Sequence, residues 1–269
     1  MRFFNKKNFI KYFLEDIKSN QFILHHHLGL GDVINCNGMV NFLSNKFERI
    51  FLPAKSNYYE MLKYMYQNNQ KVVIFKLESN KYNLENYTLN DSDHIANQEY
   101  KQIEDFAKKM KLEILRVGFD KLKMPIPKSF YDQLNLPFEY SKEHFNVPYN
   151  FEKNIEYSER LKKIYNSSNN YTLLHLESSR QHFEVQDIKL PTDSSIIKIE
   201  KNTDIYKNIF FYLKLIKEAH EIHVINSSIF CLVDRVTTTG KLYVHNKNKQ
   251  KDFSENMSLF KNWNIVNYF

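Results

Sequence analysis

The first residues that could carry chemistry lie where the apolar segment QFILHHH runs into the turn LGLGD. Asp32 and His27 can each accept a proton from a hydroxyl group, so either could act as a general base. Two of the five glycines of the chain fall within three residues of each other here, and glycine lets the backbone turn sharply and approach a ligand closely. We therefore predict a ligand site rather than a plain capped turn. The other residues expected to line it are Gly29, Gly31 and Asn35.

Two more polar turns follow apolar strands later in the chain, in LLHLESSRQHF and HVINSSIFCLVDRV. Arg180 suits a phosphate because its planar guanidinium donates two parallel hydrogen bonds. In the second segment, hydroxyl and backbone N–H groups meet at the start of a helix, whose positive end attracts anions. A surface arginine and ordinary helix capping stay open as alternatives. The residues predicted to bind a phosphate-bearing ligand are His175, Ser178, Ser179, Arg180, His182, Asn226, Ser227 and Ser228.

The elements that position the first turn alternate between short apolar strands and amphipathic helices. Asp32 would lie at or near the N-cap of the helix after the glycine turn, and Ser56 fits the N-cap of the next helix. This order predicts a parallel, doubly wound sheet. The predicted strands are 21–27, 48–54, 71–77 and 112–118, and the predicted helices are 33–46, 56–67 and 97–110.

A second α/β unit follows a connector, residues 125–150, that holds four of the six prolines. We predict two Rossmann-like domains, 1–148 and 149–269, facing each other across a cleft, because ligands bind where parallel strands end. The last ~15 residues, which include the only tryptophan, could pack back on the first domain. The predicted strands are 171–177, 194–200, 221–228 and 241–246, and the predicted helices are 150–166, 204–219 and 229–238.

Composition and charge exclude several classes of protein. The chain has 269 residues, 42% of them hydrophobic, which is enough apolar material for a core and excludes general disorder. Two cysteines make neither a disulfide framework nor a zinc site, so we expect a cytoplasmic protein without a metal ion. No apolar run of the sequence is long enough to span a membrane. The net charge of +7 suits anionic partners.

The N-terminal segment MRFFNKKNFIKYFLEDIK places apolar residues at helical spacing with lysines outside. Such a helix could lie on an anionic membrane surface, although packing on its own domain is the more common role. The segment lacks the apolar region and cleavage site of a signal peptide. We therefore expect a cytoplasmic protein, with peripheral contact at the inner face of the membrane as a further option.

Taken in order, the three turns resemble those of heptosyltransferase-like glycosyltransferases of family 9, which have the GT-B fold. HLGLGDVI is similar to the N-terminal motif that places an aspartate on the acceptor side. LHLESSRQHF resembles the second-domain turn that approaches the donor diphosphate. VINSSIFCLVDRV resembles the Asp-Thr-Gly-Leu-Ser-His segment that holds the donor phosphates, although Asn226-Ser227-Ser228 replaces Asp-Thr-Gly and the final histidine has no match. The connector FYDQLNLPFEYSKEHFNVP also looks like small GT-B-like proteins encoded beside surface-polysaccharide genes.

The resemblance implies a glycosyltransferase of polysaccharide biosynthesis. It would move a hexosyl or heptosyl unit, with inversion, from a nucleotide-sugar donor to a glycan or glycolipid acceptor. Asp32 would be the acceptor-side aspartate and, like His27, a candidate base. Arg180 and the helix that begins near Ser228 would neutralise the leaving diphosphate without a metal ion. The nucleotide sugar is a co-substrate, and no cofactor is implied.

Four alternatives compete with this interpretation. Asp91-Ser92-Asp93 resembles the metal-binding triplet of GT-A enzymes, but a polar segment precedes it, which favours helix capping. A dehydrogenase or other dinucleotide-binding enzyme is disfavoured, because the motif G-x-G-x-x-G is incomplete. Ile34 stands in place of the third glycine. A GT-B-shaped nucleotide-sugar epimerase would use the same cleft. A non-catalytic basic protein for nucleic acid or anionic surfaces is disfavoured, since the basic residues are spread along the chain.

Overall fold

A computed structural model describes most of the chain as two α/β units. The described residues are 9–78, 89–119, 123, 125–167, 169–178, 183–184, 188, 190, 195–246 and 259–268, with the backbone alone for 89–97. The first unit takes in the described residues of Met1–Gly29, Cys36–Leu122 and Ser129–His144. The second takes in those of Leu30–Asn35, Lys123–Lys128 and Phe145–Phe269. Each unit is built on a five-stranded sheet.

The first sheet is parallel throughout and has the strand order β1-β5-β2-β3-β4. Both faces of such a sheet are covered, so its strands read as almost continuous apolar runs, and Phe22, Ile23 and Leu24 are fully buried. The strands are β1 (Ile10–Lys11), β2 (Gln21–His25), β3 (Arg49–Lys55), β4 (Val72–Leu77) and β5 (Glu113–Arg116). The helices in this half of the chain are α1 (Leu30–Lys46), α2 (Tyr59–Met65), α3 (Leu89–Met110), α4 (Ile126–Gln133) and α5 (Tyr140–Glu143).

The second sheet is also parallel and has the order β10-β9-β8-β6-β7. Its strands are β6 (Tyr171–His175), β7 (Ser195–Lys198), β8 (Glu221–Ile225), β9 (Lys241–Asn246) and β10 (Asn264–Asn267). The helices are α6 (Phe151–Ile164), α7 (Leu213–Glu218), which follows a 3-10 turn at Ile209–Tyr212, and α8 (Ser228–Arg235). Within the tail, Asn264–Asn267 form the edge strand β10 of this sheet.

The two parallel sheets with their helices confirm the predicted fold class, and each predicted strand overlaps an observed one. The predicted N-terminal helix is wrong over residues 9–17, where Ile10 and Lys11 pair with β5 and Leu14–Asp16 form a 3-10 turn. Pairing with β5 gives the unsatisfied backbone groups of that strand a partner, which an isolated helix does not. The helix on which peripheral membrane contact depended is therefore not found in these residues.

Three helix boundaries also differ from the sequence prediction. The N-cap of α2 is Tyr58 and not Ser56, and no side chain caps that helix. The helix predicted at 204–219 shortens to the 3-10 turn and α7, because Lys207 has a positive φ of 49° and the Asn208 side chain caps the turn. Helix α3 starts at Leu89, so the triplet that begins at Asp91 lies within its first turns rather than before a helix at 97. Among the described helices, none has the length and apolar character needed to cross a bilayer.

Gly38 lies in the middle of α1 because the backbone of α5 passes too close for a side chain. A Cβ added at Gly38 would stand 2.0 Å from the carbonyl oxygen of Tyr140 and 2.9 Å from the Cα of Ser141. The next residue along, Met39, is fully buried, and its N–H donates to the hydroxyl of Tyr131 at 3.1 Å. Glycine therefore sets the distance between α1 and α5 in the first unit.

We predict that Gly38→Ala lowers the free energy of unfolding by about 1–3 kcal/mol, the usual cost of forcing atoms into a packed interior. Helix propensity alone would favour alanine by about 1 kcal/mol, so the sign of the change separates the two effects. Urea unfolding followed by circular dichroism measures it. Asn45→Ala, at an exposed position of the same helix, is the control and should stay within about 0.5 kcal/mol of wild type. A Gly38→Ala protein as stable as wild type would contradict the prediction.

Candidate functional site

The strand order of the second sheet creates a place for a ligand. The chain goes from β6 to β7 on one side and then to β8 on the other side of β6. In parallel sheets, ligands bind outside the carboxyl ends of the strands at such a reversal. Strand β6 ends at His175 and β8 ends at Ile225. The structure therefore brings two predicted segments, those that contain Ser178 and Ser228, to one edge of one sheet.

Helix α8 begins at this edge with a serine cap. Ser227 has an extended backbone, and its hydroxyl accepts a hydrogen bond from the N–H of Phe230 at 3.3 Å. Asn226 is exposed, and Ser227 and Ser228 are half-buried. The N–H groups of a first helical turn have no partner within the helix. This end of α8 thus offers hydrogen-bond donors and a partial positive charge to an anion.

Buried polar contacts at the other end of α8 hold the helix in place. Asp234 is almost fully buried and accepts hydrogen bonds from the N–H of Phe260 at 3.1 Å and from Nε1 of Trp263 at 2.9 Å. The adjacent Arg235 lies 3.6 Å from the Asp234 carboxylate, and its guanidinium lies over the Phe260 ring. The segment around Trp263 therefore fixes the direction of α8. Trp263 is the only tryptophan of the chain, but the sequence gives no sign that Asp234 is its partner.

The glycine turn places Asp32 in the first turn of α1. This helix starts at Leu30 with Gly29 as its N-cap, three residues earlier than the predicted start at 33. Asp32 is thus the third helical residue rather than the cap. A carboxylate in a first turn is stabilised by the positive end of the helix.

The start of α1 packs closely against α8. Residues Leu30–Asn35 belong to the second unit. A Cβ added at Gly31 would stand 3.3 Å from Sγ of Cys231 and 4.0 Å from the Cα of Ser228. Glycine at position 31 therefore allows the start of α1 to lie close to α8.

Asp32 and Asn35 both act on the ionisation of Cys231, which places them near α8 as well. Burial raises the pKa of the Cys231 thiol to about 12, and the Asp32 carboxylate adds to the increase. The Arg235 charge and a hydrogen bond with Asn35 act in the opposite direction. Residues from two of the three predicted segments, at the start of α1 and the start of α8, thus lie together.

His175 presents a single acceptor atom. Its Nδ1 lies 2.9 Å from the carbonyl oxygen of Ile199, and because a carbonyl only accepts, Nδ1 carries the hydrogen and Nε2 keeps its lone pair. Burial lowers the pKa of the imidazole, which favours this neutral form. Ser178 is half-buried. Ser179, Arg180 and His182 lie outside the described residues, so their roles stay predictions.

His27 is engaged with the first sheet, where β2 and β5 form a second reversal of strand order. Its Nε2 accepts a hydrogen bond from the N–H of Phe119 at 3.3 Å. The ring also packs edge-on against Phe119 and Phe130, with centroids 4.7 and 5.4 Å away. The Nε2 lone pair that a general base would need is therefore already in use.

The sequence did not predict a cluster of Arg116 with aromatic side chains at the carboxyl edge of the first sheet. Arg116 ends β5 directly beside His25, and its guanidinium lies 4.7 Å from the ring centroid of Tyr100 and 4.3 Å from that of Phe119. Burial, with a contribution from the Arg116 charge, lowers the pKa of His25 to about 3. The segment LEILRVGFD gives no signal for this cluster, because the neighbour of a strand end depends on strand order.

Within the described residues, no three His, Cys, Asp or Glu side chains are grouped to hold a metal ion. The carboxylates of Asp91 and Asp93 lie outside that search, since only the backbone of this part of α3 is described. The GT-A interpretation of this triplet is therefore not tested by the structure.

Comparison with known proteins gives matches in structure but not in sequence. No family model and no curated protein matches the chain. A glycosyl transferase family 9 protein from Veillonella parvula is similar in structure, with a TM-score of 0.54 and 8% identity over 93% of this chain and 87% of its own. E. coli heptosyltransferase WaaC, solved with ADP, has a TM-score of 0.46 and 9% identity over 92% of both chains. At such identity a likeness concerns the fold alone, and the likeness to the Veillonella protein confirms the predicted structural resemblance to family 9 glycosyltransferases.

Proposed function

We propose that the protein is a glycosyltransferase that moves a sugar from a nucleotide-sugar donor to a hydroxyl group of a glycan or glycolipid. The observation that carries this proposal is the packing of the Gly31–Asp32 turn against the start of α8. A candidate base and an anion-binding helix end then belong to one site. Displacement of a nucleoside diphosphate by a hydroxyl group needs both of these features. The likeness in fold to a family 9 glycosyl transferase supports the proposal.

The donor diphosphate is proposed to bind at the first turn of α8. Negative charge develops on the leaving diphosphate, and a preorganised N–H donor at such a position is worth roughly 3–4 kcal/mol of transition-state stabilisation. Arg180 is proposed to supply a positive charge at the same edge, so that no metal ion is needed. His175, whose Nε2 keeps its lone pair, is suited to accept a hydrogen bond from a hydroxyl group of the donor.

We propose Asp32 rather than His27 as the general base. His27 already uses Nε2 as the acceptor for Phe119, whereas the Asp32 carboxylate has two oxygens with several acceptor positions. A positioned base contributes typically about 10²–10⁴-fold to the rate. A single base on the acceptor side fits direct displacement with inversion, which is the outcome the resemblance implies for a hexosyl or heptosyl unit.

We predict that Asp32→Asn lowers kcat about 10²–10⁴-fold, because the amide keeps the size of the side chain but cannot accept the proton. Nucleotide affinity and the melting temperature should stay close to wild type. The assay is release of nucleoside diphosphate from a nucleotide sugar, with a glycolipid extract as acceptor. His27→Gln is the matched variant and should keep most of its turnover. A large loss in His27→Gln with normal turnover in Asp32→Asn would assign the base to His27.

A second prediction concerns the N–H of Ser228 at the start of α8. Ser227 has φ −154° and ψ 176°, a conformation that a following proline accepts, and proline is well tolerated as the first residue of a helix. Ser228→Pro therefore removes the N–H and the hydroxyl without breaking α8, whereas Ser228→Ala removes the hydroxyl alone. We expect Ser228→Pro to weaken diphosphate affinity by about tenfold or more, as for a lost hydrogen bond to a charged group. Ser228→Ala should change it much less.

Thermal shifts with UDP, GDP, ADP, CMP and their sugar conjugates, with and without Mg²⁺, measure these affinities and identify the donor. A native-state ligand at a hundredfold excess over Kd stabilises by about 2.7 kcal/mol. We expect one nucleotide to stabilise the protein independently of Mg²⁺. Equal affinities in the two Ser228 variants would remove α8 from the donor site. Dependence on Mg²⁺ would instead favour a metal site at Asp91 and Asp93, and a panel without any shift would favour a non-catalytic protein.

A further inference from the structure

The second sheet carries a chain of four titratable side chains that the proposed function does not use. Glu221 and His223 lie two residues apart on β8 and share a face, with 3.4 Å between Oε2 of Glu221 and Nε2 of His223. Nδ1 of His223 lies 2.9 Å from Nε2 of His245 on β9. Nδ1 of His245 lies 2.6 Å from the hydroxyl oxygen of Tyr268, the residue after β10. The chain of hydrogen bonds therefore crosses three adjacent strands.

These hydrogen bonds run in one direction while both imidazoles are neutral. A carboxylate only accepts, so His223 carries its hydrogen on Nε2 and accepts at Nδ1. His245 must then donate through Nε2, which leaves its Nδ1 as an acceptor. Tyr268 is consequently the donor to His245. One carboxylate thus fixes two tautomers and the direction of a tyrosine hydroxyl two strands away.

The described side chains around the two imidazoles are mostly uncharged. His223 and His245 are each 2% exposed. In the described part of the chain, one further charged group contacts this set, namely Lys241, which lies 3.5 Å from Glu221 and is exposed. The remaining described neighbours on β9, β6 and the segment before β7 carry no charge at neutral pH: Tyr243, Thr172, Leu174 and Phe183.

We propose that this chain is a proton-operated switch in which uptake of one proton reverses the hydrogen bonds and redirects the hydroxyl of Tyr268. The added proton binds the hydroxyl oxygen of Tyr268, the original hydroxyl proton passes to Nδ1 of His245, and the proton on Nε2 of His245 passes to Nδ1 of His223. His223 is then an imidazolium that pairs with the Glu221 carboxylate. His223 donates to Nε2 of His245, so His245 carries its hydrogen on Nδ1 and donates to Tyr268. The Tyr268 hydroxyl becomes an acceptor toward His245, and its hydrogen points away from His245. The inference is independent of the proposed function.

The switch is in its neutral state at neutral pH. Burial lowers the pKa of His223, against the effect of Glu221, and lowers the pKa of His245 to about 4. An unfolded histidine has a pKa of about 6.5, so between roughly pH 6.5 and pH 4 the unfolded chain binds more protons than the folded one. The free energy of unfolding is therefore complete above this range and falls as the pH decreases through it. Proton uptake by the folded chain is shifted to lower pH than that of an unfolded histidine, because burial lowers both pKa values.

The tautomers of the two histidines give a direct test. In protein labelled with ¹⁵N-histidine, ring nitrogen NMR distinguishes Nδ1–H from Nε2–H. At pH 7.5 we expect the Nε2–H tautomer for both His223 and His245. As the pH falls, His223 should become doubly protonated while His245 converts to the Nδ1–H tautomer. An Nδ1–H tautomer for His245 at pH 7.5, or protonation of His223 without a change of tautomer at His245, would overturn the proposal.

Two variants test the ends of the chain. Glu221→Gln replaces the acceptor-only group, so we expect mixed tautomers at pH 7.5 and proton uptake shifted to lower pH by about one unit, a tenfold change in proton affinity. Tyr268→Phe keeps the Nε2–H tautomers at pH 7.5 but removes the acceptor for the Nδ1–H that His245 carries after proton uptake. Because a buried donor without a partner is costly, proton uptake should shift to lower pH. His220→Gln, at an exposed histidine beside β8, is the matched control and should change neither property. A Tyr268→Phe protein with the wild-type uptake midpoint would contradict the proposal.

Discussion

Strands of a parallel sheet are covered on both faces, and this constraint decides where polar chemistry can be placed in the protein. Between their first and last residues, β2 and β5 are apolar, and β6 is apolar apart from Thr172. His25 ends β2, Arg116 ends β5 and His175 ends β6. The polar turns that follow these residues lie at the carboxyl edges, where backbone groups are released from the ladder. The candidate site is therefore placed by the burial of the strands rather than by any one motif.

One face of the second sheet departs from this pattern. Glu221, His223 and His245 are buried within strands, where a polar group is tolerated only if it is hydrogen-bonded. Each ring nitrogen of His223 and His245 is hydrogen-bonded to the next side chain in the series from Glu221 to Tyr268. The interior of this sheet is thereby connected to its carboxyl edge by groups that can exchange protons.

Periodicity predicted the strands well because an apolar run between polar turns has few other interpretations. It failed where tertiary contacts decided the outcome. The apolar residues around Ile10 and Lys11 have helical spacing, but pairing with β5 makes these two residues an edge strand. The candidate site, likewise, could be predicted from the sequence only in part. The order of the motifs suggests one site for Asp32 and Ser228, which stays a prediction. The contact of Asn35 with Cys231 and the pairing of Arg116 with His25 follow instead from packing between distant segments.

The anchor of α8 has a consequence for how the chain matures during synthesis. About 25 residues separate Arg235 from Phe260, which corresponds to about one to five seconds of translation at roughly 5–20 residues per second. During that interval α8 has emerged from the ribosome, whereas the Phe260 N–H and the Trp263 indole that bind Asp234 have not. An aspartate without these donors is costly to bury, so the helix cannot take its final direction until the segment around Trp263 has emerged. The start of α8 therefore takes its final direction late, after strands β6 to β9 have been made.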